Sequence, residues 1–470
     1  MILNNLADGL VRGVETAQST VSEALFEPVI RLGVTGLARA GKTVFITSLV
    51  ANMLERNRMG HVAAIREGRV TAAYLQPQPD DTVARFEFEK HMAALQATPP
   101  RWPESTRAVS ELRLSLRVQP NGLLGGLSGP RVVHIDIVDY PGEWLLDLGL
   151  LDQDYAAWSA QVLTRMAERD ESAPVADRLA KARADAAFDE ETAQDLAQHF
   201  TQALHAQRAA GYADCTPGRF LLPGDLAGSP VLTFAPLSTT QPNPRGSMGR
   251  EMARRFEAYK SKVVRPFFRD HFARIDRQIV LVDALSALHK GPRAVEDLRQ
   301  TMTAVLSAFR HGKNGFLSQL LMGRRVEKLL FAATKADHLH HKQHENLSNI
   351  MQALLADARH RAAFSGAQTH ALSLAALRAT IEETRTHEGR KLNMVRGTQM
   401  SGRDAALFAG NLPDDPAAVL APAAERAQDW LGQDFHTMAF APPRLSTRPG
   451  EGPPHIRLDK AVEFLIGDRL

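Results

Sequence analysis

Cysteine, aromatic residues and excess charge are all scarce in this chain of 470 residues, and each shortage excludes something. The one cysteine, Cys215, cannot build an internal disulfide framework, which fits a reducing cytoplasm. No run of about 18 apolar residues occurs, so no transmembrane helix is expected. Met1-Ile2-Leu3-Asn4-Asn5-Leu6-Ala7-Asp8 lacks the basic start and cleavage site of a signal peptide, so no secretory leader is expected either. A net charge of +3 is too slight an excess to argue for nucleic acid, and no specific nucleic-acid binding is expected. There is no internal repeat and no long low-complexity tract. What is present is 44% hydrophobic residues, enough for a substantial core, in a length that suggests two or three domains or one domain with a large insertion.

Gly36-Leu37-Ala38-Arg39-Ala40-Gly41-Lys42-Thr43 reads as G-x-x-x-x-G-K-[ST], a phosphate-binding loop. Ile30–Thr35 before it suits a buried strand, and Val44–Val50 after it suits a helix, which is the context the motif requires. Glycines let successive backbone N–H groups turn inward around phosphate oxygens, and the helix start adds partial positive charge. The candidate contacts are Gly36, Ala38, Arg39, Ala40, Gly41, Lys42, Thr43 and Val44, with Lys42 reaching the β- and γ-phosphates and the Thr43 hydroxyl ligating Mg²⁺.

Beyond this helix an irregular stretch runs from about Gly68 to Glu104, with a helix expected around Phe86–Leu95. Thr71, Thr82 and Thr98 are each available to a switch loop, and the sequence does not choose between them. Glu111–Val118 alternates polar with apolar, and Arg131–Val138 is a more apolar run, so the pair predicts an antiparallel hairpin. A hairpin here is a feature of Ras-like GTPases that RecA-like ATPases do not need. The second strand runs into Asp139-Tyr140-Pro141-Gly142-Glu143-Trp144, a D-x-x-G whose Asp139 can hold Mg²⁺ and whose Gly142 can offer its N–H to a γ-phosphate. Asp136 competes with Asp139, but it would still lie within the strand.

Residues from about Leu145 to Leu222 turn helical and charged, as in Tyr155–Arg169 and Ala193–Ala210. Arg245–Arg277 is basic, with Phe256, Tyr259, Val263, Phe267 and Phe268 at helical intervals, so it can dock on an acidic partner or membrane surface or can simply be core. Gln278–Leu285 and Lys328–Ala333 are compact apolar runs readable as parallel strands. The second leads into Thr334-Lys335-Ala336-Asp337, which matches [NT]-K-x-D. Asp337 can accept from guanine N1–H and the 2-amino group, donors that adenine lacks. Lys335 can lay its stem on the base, and Thr334, in place of the commoner Asn, can hydrogen-bond toward the phosphate loop. Thr369–Leu377 resembles a strand leading to an S-A-x loop at Ser373, with Ala375 and Ala376 both open as the donor to guanine O6. His338, His340, His341 and His344 invite a metal reading, but without a cysteine or clear third ligand they read as a solvated helix start. A strand is expected at Phe435–Phe440 and a closing helix at Leu458–Leu465.

The expected architecture is therefore an α/β P-loop NTPase with a Ras-like G domain, a mostly parallel sheet and a large helical insertion. Residues 1–29 form an N-terminal helical segment, 30–144 and 278–470 the G domain with a C-terminal extension, and 145–277 the insertion.

Gly36–Thr43, Val138–Trp144, Gln278–Leu285 and Pro454–Asp459 together resemble the YcjX-like family of bacterial P-loop proteins, over nearly the whole chain. The resemblance implies a cytoplasmic nucleotide triphosphatase associated with stress response. It also implies an envelope-linked partner, a membrane protein or membrane surface, and thus a peripheral place at the inner membrane. One departure bears on mechanism: Glu143 follows Gly142 where Ras-like hydrolases often place a water-orienting Gln. A carboxylate there would repel the γ-phosphate, so GTP hydrolysis should be slow without a partner, and an Arg supplied in cis would offset developing charge. Arg39, Arg85 and Arg101 are the candidates, Arg39 preferred. The catalytic set is Lys42, Glu143 and Arg39, acting on bound GTP with Mg²⁺ and leaving GDP. The rivals are an interaction module with negligible turnover and an ATPase carrying a T-K-x-D look-alike.

Overall fold

The computed structural model describes residues 27–37, 40–104, 108–120, 129–238, 244–309, 326–361, 366–387, 389–430, 434–445 and 448–470. Most of the N-terminal segment expected at 1–29, namely residues 1–26, lies outside the described residues, as do Ala38 and Arg39.

The strands are β1 (Val29–Gly36), β2 (Val70–Gln76), β3 (Ala84–Arg85), β4 (Ser110–Val118), β5 (Arg131–Asp139), β6 (Arg277–Val282), β7 (Lys328–Ala333) and β8 (Gln368–Ser373). They form one sheet in the order β2-β4-β5-β1-β6-β7-β8, with β3 beside β4. Pairs from β5 through β8 are parallel, and β4 runs antiparallel to both β5 and β2. The central strands are buried on both faces and read as unbroken apolar runs, as parallel strands do. Ile279 and Leu281 of β6 therefore face one layer while Val280 and Val282 face the other.

On the first face lie α1 (Lys42–Glu55), through Phe45, Ile46 and Leu49, and the last helix, Leu458–Ile466, through Val462 and Leu465. The second face carries a larger layer. Apart from α2 (Phe88–Gln96), which joins α1 on the first face through Phe88, the helices are α3 (Gly142–Leu146), α4 (Tyr155–Ala167), α5 (Ala173–Lys181), α6 (Glu190–Ala210), α7 (Met248–Tyr259), α8 (Arg265–Asp270), α9 (Ala284–Lys290), α10 (Pro292–Ala308) and α11 (His344–Arg361), all on the second. Between β5 and β6 there is no strand among the described residues. The aromatic stripe of the basic segment is core: Phe256, Tyr259 and Phe268 have no exposed surface, and Trp158 stacks on Phe256 at 4.8 Å.

Three features depart from expectation. Phe435–Phe440 forms no strand; its one ladder contact is a bridge between Phe440 and Gln399. The stretch read as irregular after residue 68 opens with β2, and a separate three-stranded sheet holds β9 (Ile381–His387), β10 (Arg390–Thr398) and β11 (Asp404–Leu407). α12 (Ala417–Ala424) follows, and Leu458–Ile466 is α13.

Candidate functional site

The cleft forms where β1 and β5 end side by side, with Val34 in register with Asp139. Beyond Gly36 the chain turns at once: Leu37 N–H donates to the Leu281 carbonyl and Ala40 N–H to that of Leu37, both at 3.0 Å. Gly41 then takes φ +79°, a left-handed conformation that glycine adopts without steric cost. Its carbonyl accepts the first helical bond of α1 from Phe45 N–H (2.9 Å). No side chain caps α1 and no acid lies in its first turn, so the helix start keeps its partial positive charge. Of the loop's candidate residues, Gly36, Ala40, Gly41, Lys42, Thr43 and Val44 lie on this turn, and Ala38 and Arg39 are outside the described residues.

Asp139 is fully buried at the tip of β5, and Lys42 Nζ lies 2.5 Å from its Oδ1. The ammonium is near enough to pair ionically yet off the line of a hydrogen bond, and neither carboxylate oxygen has a hydrogen-bond partner among the described residues. Two buried, unbonded carboxylate oxygens are costly unless a cation shares the site. Asp139 and the hydroxyl of Thr43, the residue after Lys42, are the oxygen donors that could hold a hard divalent cation. Asp136, three residues back in β5, is instead held by the Arg113 fork at 2.7 and 2.9 Å.

The segment after Asp139 is pinned to the loop. Tyr140 N–H reaches the Val34 carbonyl (3.4 Å), and the Thr35 hydroxyl donates to the Tyr140 carbonyl (3.2 Å). Tyr140 is buried, its hydroxyl donating to Gln278 Oε1 at 2.7 Å, and burial holds the phenol well above its ordinary pKa. Gly142 lies so close to Gly36 that a Cβ there would stand 2.3 Å from the Gly36 carbonyl oxygen. The glycine of D-x-x-G and the first glycine of the phosphate loop are thus in direct contact. Glu143 is buried beside them, and Arg208 Nη2 of α6 pairs with its Oε1 at 2.8 Å.

On the base side, Ala336 N–H donates to the Leu374 carbonyl (3.0 Å), which sets Thr334–Asp337 against Ser373–Ala376. Lys335 has φ +60°, and its Nζ pairs with Asp283 Oδ2 at 2.5 Å. Asp337 is buried, its Oδ2 accepting from Ala379 N–H at 2.8 Å. The Thr334 hydroxyl donates to the Val282 carbonyl (3.3 Å) rather than toward the phosphate loop. Ala375 N–H is taken by the Ile456 carbonyl (3.0 Å), which leaves Ala376 of the two alanines. Ser373 is a packing residue in this structure: its hydroxyl donates to the His344 carbonyl (2.9 Å) and accepts from Arg457 (2.7 Å).

The model of the YcjX-like family, DUF463, matches residues 30–470. The chain belongs to that family. It is 39% identical over 460 residues to the protein named Ras-like GTPase YcjX of Escherichia coli K12, covering 94% of this chain and 96% of that one. Its identity to the Ras-like GTPase YcjX of Shewanella oneidensis MR-1 is 35% over 467 residues, or 94% of each.

Several residues of this YcjX-like chain come to the cleft from places the sequence does not signal. Arg208 and Gln278 are carried by distant elements, and Ile456 arrives from near the C-terminus. Of the other cis-arginine candidates, Arg85 lies on the surface in a double contact with Glu89, and Arg101 is exposed. Thr71 sits on β2, its hydroxyl donating to the Arg117 carbonyl, Thr82 closes a turn on Asp80, and Thr98 is exposed. The histidines gather differently from expectation: Glu382 of β9 supplies a carboxylate to His341 Nδ1 (2.6 Å) and His340 Nε2 (3.8 Å). Lys342 N–H donates to His340 Nδ1 at 3.4 Å. Among the described residues no helix is long and apolar enough to cross a membrane.

Proposed function

We propose that the chain binds GTP and GDP in this cleft, with Mg²⁺, and hydrolyses GTP while rearranging the segment that follows Asp139. The contact of Gly142 with Gly36, beside Lys42 paired to Asp139, is the observation that supports the reading: a lysine, a carboxylate and a glycine stand close together, and the proposal gives them the parts of phosphate contact, metal ligand and γ-phosphate sensor. In the reaction, water oxygen attacks the γ-phosphorus as the bond to the β–γ bridging oxygen breaks. GDP and inorganic phosphate leave, and the water proton passes to phosphate. Lys42 would exchange Asp139 for β- and γ-oxygens, and main-chain N–H groups of the loop and α1 would bind the rest. Bound Mg²⁺, held by Thr43 and Asp139, would supply charge neutralisation at those oxygens. Asp337 would select guanine through its donors, and Lys335 would flank the ring.

The nucleotide that copurifies with the chain, read by mass, tests the reading, together with competition between GTP and ATP. Guanine nucleotide and an Asp337→Asn variant that turns toward xanthine are the expected results. Adenine nucleotide would instead favour an ATPase. An interaction module with negligible turnover is the second reading, favoured by a carboxylate at Glu143 in the place of a Gln. Single-turnover hydrolysis with and without cell extract separates the two. A stress-response role and an inner-membrane partner rest on the family resemblance alone; heat challenge of a strain carrying Lys42→Ala and flotation of the protein with vesicles would test them.

A further inference from the structure

Arg208 enters the cleft from outside the sheet. It lies in the last turn of α6, three residues before Gly211, whose φ of +97° ends the helix. Its side chain is about one-third exposed, while the Glu143 side chain it meets at 2.8 Å is buried. Among the described residues no second acid pairs with it. The side chain also borders a cavity of about 50 Å³ that is shared with Leu37 of the phosphate loop and with Val282 and Asp283 at the end of β6. Glu143 directly follows Gly142, and Gly142 rests on the Gly36 carbonyl. Arg208 is thus paired to the residue that directly follows the glycine expected to meet a γ-phosphoryl group.

The pairing repeats, at the second cation of the cleft, what Lys42 does with Asp139. A γ-phosphoryl group carries more negative charge than a carboxylate and offers a planar guanidinium two parallel hydrogen bonds. Glu143, buried and anionic, would otherwise repel that group. We propose that Arg208 is a catalytic residue supplied in cis by the insertion: it leaves Glu143 for the γ-phosphoryl oxygens and stabilises the charge spreading over them in the transition state. Glu143 is its resting partner, so the acid in the water-orienting position lowers basal turnover by competing for the guanidinium. This inference rests on the GTPase reading above.

The experiment uses the full chain, with fluorescent GDP and a non-hydrolysable GTP analogue for affinity, single-turnover GTP hydrolysis for rate, and GDP with aluminium fluoride as transition-state mimic. In Arg208→Ala, ground-state affinities are expected to stay within about threefold, hydrolysis to fall about 10²–10³-fold, and capture of the mimic to be lost. Arg208→Lys, which keeps the charge and guards against misfolding of the alanine variant, is expected to leave hydrolysis impaired because it lacks the planar fork. Glu143→Gln, which releases the guanidinium, is expected to raise the rate severalfold. Unchanged hydrolysis or retained capture in both Arg208 variants would overturn the proposal and make Arg208 a tether. A Glu143→Gln rate as low as that of Arg208→Ala would overturn it by moving the chemistry to the carboxylate. If the wild-type chain bound no guanine nucleotide at all, the functional reading would fail first, a result distinct from either.

Discussion

The Asp147 carboxyl lies wholly inside the protein, where Oδ1 accepts from Gly218 N–H (2.8 Å) and Oδ2 from the Tyr259 hydroxyl (2.5 Å). Burial pushes its pKa from 3.8 up to about 7, although both hydrogen bonds pull the other way. A folded-state pKa above the unfolded value means that the native state binds the extra proton. The resulting stability is fully present below pH 3.8 and is lost as pH rises through about 7, at up to about 1.4 kcal/mol per pH unit. Asp147→Asn removes the charge, keeping the bond from Gly218 N–H and reversing the one with the Tyr259 hydroxyl, so urea titrations between pH 4 and 8 should show a smaller loss toward neutrality than wild type. Burial also pushes the Cys215 thiol up to about 12. Ellman's reagent should therefore find no reactive thiol until the chain is unfolded. At this scale the sequence was informative only where neighbours in the chain are neighbours in space. Lys42, Asp139 and Gly142 sit in short motifs with a mechanical reason for each residue. Arg208 sits in an ordinary charged helix whose linear context points nowhere, and three arginines nearer the motifs looked better placed.

Among the elements, α3 is the one whose position leaves no slack. All five of its residues are buried, and the Arg219 guanidinium carbon lies 3.3 Å above the Trp144 ring. Gly142 at its start abuts Gly36, while Gly218 is close enough that a Cβ would stand 2.5 Å from the Glu143 carbonyl oxygen. Backbone atoms cannot yield as a flexible side-chain tip can. Gly142→Ala should cost about 1–3 kcal/mol by thermal melting and should also weaken guanine-nucleotide binding. Gly218→Ala should cost a similar amount while leaving Gly36 untouched, so the pair separates strain from site damage. The strands legible in the sequence were those with a regular apolar pattern. β2 escaped notice because its register shifts between Val70 and Ala72, which breaks the alternation, and because it is a half-exposed edge. β9, reading Ile-Glu-Glu-Thr-Arg-Thr-His, carries too little apolar surface to announce a buried face. Phe435 and Phe440, read as the ends of a strand, are buried as single anchors without a ladder.

Across the whole molecule the helices between β5 and β6 share one continuous apolar core with the sheet, from Leu37 and Val280 to Trp158 and Phe200. A buried polar junction adds to it: Arg169 reaches Asp297 of α10 (2.6 Å) and Gln207 of α6 (2.5 Å), and its guanidinium lies 4.1 Å over the Tyr212 ring. Calorimetry should accordingly show one cooperative transition; two resolved transitions would contradict a shared core. Arg169→Ala, which strands a buried carboxylate at Asp297, should lower stability by about 3–5 kcal/mol in urea titration. Sequence reading could mark where the helices begin and end, since composition shifts there. How tightly they join the sheet depends on pairs such as Arg169 and Asp297, 128 positions apart, which no local pattern encodes.

The return of the chain's last stretch to the base-side loop has a consequence for synthesis. Ile456 exchanges main-chain hydrogen bonds with Ala375, Pro454 accepts from Arg378 N–H, and Pro453 accepts from the Asn52 amide. A polypeptide still threaded through a ribosome has its phosphate loop outside long before these struts emerge. If the cleft takes guanine nucleotide as proposed, nascent chains stalled before Pro453 should hold none while released ones do.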